Sequence, residues 1–100
     1  AAKNIYPAEI EAALPADHRV ADAVVFRSRD AKGGEVPVAF VARRDEGLTA
    51  DDLVELCRRH LAGYKRPKDI RFVAFDALPR STTGKIQRHE VERWLAQEHA

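Results

Sequence analysis

Scarcities narrow this 100-residue chain before any motif does. It has a single cysteine, Cys57. One thiol cannot build a disulfide framework, so a reducing compartment, the cytoplasm, is the simplest expectation. Charge of either sign is scarce in excess: 17 Lys and Arg against 16 Asp and Glu leave a formal net charge of +1. That balance argues against a nucleic-acid partner, which would need a strong positive field. No apolar run approaches the roughly 20 residues that cross a bilayer, and no signal peptide is expected at Ala1. The length suffices for one core and leaves no room for a second. Hydrophobic residues at 45% and charged residues at 33% are ordinary for a globular domain.

What is present reads as alternating helices and strands. Asn4-Ile-Tyr-Pro opens a first helix, with Pro7 suited to a first helical position where its missing N–H costs nothing. Ile10, Ala13 and Leu14 recur at helical spacing until Pro15 stops the run. Residues 20 to 27, with Val20, Val24, Val25 and Phe26, read as a strand. A polar turn closing on Gly33-Gly34 leads to a returning strand from Val36 to Ala42, with Pro37 at an edge or beyond the ladder. Thr49 and Asp52 form a capping pattern for a second helix whose stripe is Leu53, Leu56, Cys57 and Leu61, ended by Gly63. Ile70 to Phe75 alternate as a third strand, and a last helix from about Gln87 to Gln97 would bury Val91, Trp94 and Leu95. The expected fold is α+β: a small sheet, a hairpin plus a third strand, covered by about three helices as a two-layer sandwich.

The chemistry concentrates at residues 79–88, Pro-Arg-Ser-Thr-Thr-Gly-Lys-Ile-Gln-Arg. A turn of small and hydroxylated residues presents Lys85 just before a helical pattern. A nucleotide-binding P-loop needs Gly-x4-Gly-Lys-Ser/Thr, but Pro79 holds the first glycine position and Ile86 the hydroxyl position. Proline also lacks the N–H that a phosphate cradle uses, so that reading fails. A lysine on a polar turn remains, a compact point charge able to meet a phosphate or carboxylate. Taken alone, it is most simply a solvated loop lysine.

Other candidates have plainer explanations. His18, His60, His89 and His99 lack the paired spacing of a metal site, and no metal ligand set is expected. Cys57 sits on an apolar stripe as a core residue. Asp51 and Asp52 are first-turn helix charges, and Trp94 is a packing anchor.

Four segments in register change the weight of Lys85. They are Lys3-Asn-Ile-Tyr-Pro-Ala-Glu-Ile-Glu, Val20-Ala-Asp-Ala-Val-Val followed by Gly34-Glu-Val-Pro-Val-Ala-Phe-Val, Leu61-Ala-Gly-Tyr-Lys-Arg-Pro-Lys-Asp-Ile-Arg-Phe-Val, and the Gly84-Lys-Ile-Gln-Arg run. In order and spacing they resemble the C-terminal domain of the adenylate-forming acyl-CoA synthetase (AMP-binding enzyme) superfamily, over nearly the whole chain. The resemblance implies that residues 1–100 are the mobile C-terminal domain of a larger ligase whose N-terminal domain holds most of the ATP and acid site. Such an enzyme converts a carboxylic acid and ATP to an acyl-adenylate, then passes the acyl group to coenzyme A. Magnesium would accompany ATP, bound mainly by the other domain. By position, Lys85 would be the adenylation lysine beside Gly84, and Asn4, Ile5 and Tyr6 would help form the thiol channel after the domain rotates. Partners would be the chain's own N-terminal domain, the acid, ATP and coenzyme A.

Two departures from the family pattern stand out. Ala1 and Ala2 replace paired glycines, which would restrict the backbone where the cofactor approaches. Arg27-Ser-Arg-Asp30 replaces a Gly-x-Pro-Asp turn, adding positive charge that suits either coenzyme A phosphates or a solvated strand end. The alternatives are a fatty acyl-AMP ligase that hands its product to a carrier protein, and a stand-alone interaction domain without activity.

Overall fold

The computed structural model describes residues 6–29, 32–61, 67 and 69–98. Helix α1, Pro7–Ala13, starts on Pro7 and runs into a single 3-10 turn at Leu14–Ala16. Strand β1, Val20–Arg29, pairs antiparallel with β2, Glu35–Arg43. Helix α2, Ala50–His60, then carries the chain back over the sheet to β3, Asp69–Phe72, which lies parallel to β2. A parallel neighbour requires such a crossover, because a tight turn can only reverse the chain. Helix α3, Arg88–Glu98, closes the fold.

Strand order β1-β2-β3 puts β2 in the centre, and its residues are buried without interruption from Pro37 to Ala42. Continuous burial arises because both faces of the sheet are covered. On one face Ala39 and Val41 pack with Val25, Ile10, Leu14, Leu53 and Leu56 beneath α1 and α2. On the other, Val38, Phe40 and Ala42 pack with Val24, Phe26, Leu78, Val91 and Leu95 beneath α3. The expected α+β sheet with three helices is thus refined in its layering, with two helices on one face and one on the other. Trp94 anchors the second face, edge-on to Phe40 at 5.6 Å between ring centroids.

Local signals place the helices. Thr49 caps α2 through a reciprocal box: its Oγ1 accepts from the Asp52 N–H at 3.2 Å, and Asp52 accepts from the Thr49 N–H at 3.1 Å. Such a cap contributes about 1 kcal/mol. The helix ends at His60, before Gly63, which lies outside the described residues. Cys57 is buried in its apolar stripe, and burial pushes its thiol up to about 11, which suits a core residue and not a nucleophile.

Two sequence readings shift in the structure. Strand β3 stops at Phe72, and Phe75, expected to continue it, lies exposed in a 3-10 turn, Phe75–Ala77. Pro37 sits in the central strand. It is accommodated because it shares the parity of Val41, whose carbonyl accepts from the Val73 N–H on the β3 side, and the β3 ladder begins only at Val38. Its missing N–H therefore costs no ladder bond.

One irregularity interrupts β1. The β1–β2 register slips between Val20 and Asp22, a bulge that gives β1 one extra residue. Strict alternation would put Val20 and Val24 on one face. Instead Val20 joins Ala23 and Val25 on the α1–α2 face, and Val24 and Phe26 take the α3 face. Asp22 shares the parity of Val24 and so faces the segment that carries Lys85.

Candidate functional site

The turn that carries Lys85 is a hydrogen-bonded hairpin. The Gln87 N–H donates to the Pro79 carbonyl at 2.8 Å, Arg80 bridges Ile86, and the Ser81 N–H donates to the Lys85 carbonyl at 2.8 Å. Thr82, Thr83 and Gly84 form the tip, closed by the Gly84 N–H on the Ser81 carbonyl at 2.9 Å. A three-residue tip of this kind needs its third residue in the left-handed region, and Gly84 supplies it with φ of 88°. The hydroxyls of Ser81 and Thr83 bond each other at 2.9 Å. Lys85 follows directly, exposed. Beyond it the Gln87 carbonyl accepts from the N–H groups of Glu90 and Val91, which starts α3.

Gly84 is needed for its backbone alone, since a Cβ placed there would meet nothing within 4 Å. A side chain would cost about 1–2 kcal/mol in the left-handed conformation without clashing. Gly84→Ala should therefore lower the thermal unfolding midpoint of the domain by roughly 5–10 °C. Gly84→Asn, which tolerates this region, should recover part of the loss. An unchanged midpoint in Gly84→Ala would show that the left-handed turn is dispensable.

Two arginines fasten the hairpin to the rim of the sheet. Arg80 Nη1 donates to Asp22 Oδ2 at 2.8 Å and to the Gly84 carbonyl at 3.2 Å. Its guanidinium lies 3.9 Å from the centroid of the Phe75 ring. Arg88 Nη1 donates to both carboxylate oxygens of Glu11, at 2.6 and 2.8 Å, and its Nη2 reaches the Val25 carbonyl at 3.2 Å. Glu11 in turn accepts from the Val25 N–H at 2.8 Å. Glu11 and Arg88 together thus occupy both backbone groups of Val25 on the free edge of β1, in place of a further strand. Arg88 is half exposed, so the ion pair itself adds only about 0–1 kcal/mol. Its effect is to fix where α3 and the hairpin meet α1.

Between these anchors lies an open cleft of about 370 Å³, lined by Glu11, Asp22, Ala23, Val24, Gly84, Lys85, Ile86 and Arg88. The structure brings Lys85 and Gly84 together there. Tyr6 stands exposed at the start of α1, outside the lining, and Asn4 and Ile5 fall outside the described residues. Glu11, Asp22 and Arg80 were not recognised in the sequence as site residues. Arg88 was visible only as the last member of the Gly-Lys-Ile-x-Arg run.

These features define a class: a small α+β domain that displays one lysine on a braced hairpin beside an open cleft. Residues 9–85 match the AMP-binding enzyme C-terminal domain. The chain belongs to that family. It is 45% identical over 94 residues to a 2-succinylbenzoate–CoA ligase of Geobacillus sp. (strain WCH70), covering 93% of this chain and 19% of that protein. It is 42% identical over 85 residues to a long-chain-fatty-acid–CoA ligase of Haemophilus influenzae, covering 85% of this chain and 15% of that protein. Among solved structures, a Mycobacterium tuberculosis fatty acyl CoA synthetase superposes with a TM-score of 0.80 at 35% identity, over 95% of this chain and 19% of the other. The chain thus spans less than a fifth of the length of the curated relatives it matches.

Proposed function

We propose that this chain is the mobile C-terminal domain of an ATP-dependent acyl-CoA ligase and that Lys85 is its adenylation lysine. The observation that carries the reading is the placement of Lys85: exposed at the end of a braced hairpin, with Gly84 setting the turn, in a domain of the AMP-binding enzyme family. A cation so displayed has its target outside its own domain.

The reaction falls into two halves. A carboxylate oxygen attacks the α-phosphate of ATP, pyrophosphate leaves, and an acyl-adenylate forms. The coenzyme A thiol, giving up its proton, then attacks the acyl carbon and AMP leaves. In the first half negative charge gathers where carboxylate meets phosphate. The Lys85 ammonium, brought to those oxygens, holds the reactants in line and offsets that charge. It need not exchange a proton. In the second half the hairpin withdraws and the segment at Asn4, Ile5 and Tyr6 approaches the adenylate, so one moving domain serves both steps.

The carboxylates that line the cleft with Lys85 do not fit a magnesium site. Glu11 is already held by Arg88 and Asp22 by Arg80. Magnesium accompanying ATP is therefore assigned to the other domain, with the acid pocket. A panel of aliphatic and aromatic carboxylic acids, supplied with ATP and coenzyme A to the full-length protein, tests the reading by loss of free thiol. We expect acid-dependent thiol loss together with AMP release. Adenylate formation without thiol loss would move the acceptor from coenzyme A to a carrier protein, and no adenylate with any acid would overturn the reading.

A further inference from the structure

Asp22 and Arg80 are separated by 58 positions in the chain, yet they form an ion pair at the base of the lysine-bearing turn. Asp22 faces the hairpin because it shares the parity of Val24, two residues on in the regular part of β1. Arg80 uses a single nitrogen, Nη1, to grip Asp22 on the sheet and the Gly84 carbonyl in the tip, one residue before Lys85. Phe75 supports the guanidinium from below, and the side chain is only 20% exposed. Meanwhile Nε and Nη2 of Arg80 are buried and find no partner among the described residues. The arrangement makes sense as geometry. It fixes the height and direction of the Gly84–Lys85 bond relative to the sheet.

We propose that Asp22 and Arg80 act as a positioning couple for Lys85, so that the lysine travels with the sheet as part of a rigid body and arrives in the partner site already oriented. The proposal rests on the reading of Lys85 as the adenylation lysine. Neither Asp22 nor Arg80 touches substrate. Their effect reaches the reaction through the Gly84 carbonyl and the turn it closes, and it concerns only the half-reaction in which Lys85 is in place.

The test uses the full-length protein and compares two rates on each preparation: adenylate formation, and reaction of a preformed acyl-adenylate with coenzyme A. Their ratio is independent of the folded fraction, because both rates scale with it. Asp22→Ala and Arg80→Gln should each lower the ratio, on the order of tenfold to a hundredfold, as expected when a reacting group is misplaced by about 1 Å. Because the two residues act as one unit, the double variant should be no worse than Arg80→Gln alone. An unchanged ratio in both single variants, or losses that multiply in the double variant, would overturn the proposal. Lys85→Ala on the same assay separates the two levels. If Lys85→Ala lowers the ratio and the couple does not, only the positioning role fails. If Lys85→Ala leaves the ratio unchanged, the adenylation role fails with it.

Discussion

Lys85→Ala in the full-length protein is expected to slow acid-dependent ATP–pyrophosphate exchange by about 100- to 1,000-fold, the usual cost of deleting one preorganised group that stabilises developing charge. The size follows from where the charge is held. In the isolated domain Lys85 is exposed beside an open cleft, where water screens it. Its effect arises once a second domain closes over it and excludes that water. The hairpin is braced from both sides, so little of the interaction is spent on ordering the backbone at the moment of closure. Lys85→Arg should recover only part of the rate, since a planar fork cannot occupy the place of a compact ammonium. Full activity in Lys85→Ala would remove the lysine from the mechanism.

The chain by itself is expected to be folded and inert. Two core clusters bury both faces of its sheet, so circular dichroism should report native α+β structure with a cooperative thermal transition. Yet with ATP, magnesium and any acid accepted by the full-length protein, pyrophosphate exchange should match the buffer blank. Positioning is the reason. Well-oriented reactants gain effective molarities on the order of 10⁵–10⁸ M, and this domain offers one exposed cation in a cleft whose carboxylates are already paired. Robust exchange by the folded chain would contradict the two-domain reading.

Much of the fold was legible because its signals are local. Pro7 marks a helix start, Thr49 and Asp52 make a capping box, and Val24 to Phe26 and Val38 to Val41 read as strands from composition alone. Phe75 misled because alternation continues in the sequence after the ladder has ended at β3. The covering of both sheet faces was harder to see, since a fully buried strand has no polar face to mark its orientation. At the hairpin, Gly84 and Lys85 stood out through a turn of small and hydroxylated residues and through the family resemblance. Their supports did not. Arg80 reaches across 58 positions to Asp22, and Arg88 across 77 to Glu11. Nothing in a single sequence links residues so far apart, and the bulge that reverses Val20 leaves no mark in the composition of β1.

The central claim is that Lys85 serves one half-reaction and not the other. Single-turnover rates in full-length Lys85→Ala test it most directly: adenylate formation from acid and ATP, and consumption of preformed acyl-adenylate by coenzyme A, on one preparation beside the unaltered protein. The first rate should fall by two to three orders of magnitude, the loss expected for a single preorganised charge, while the second stays within about twofold. Equal loss in both would contradict the assignment.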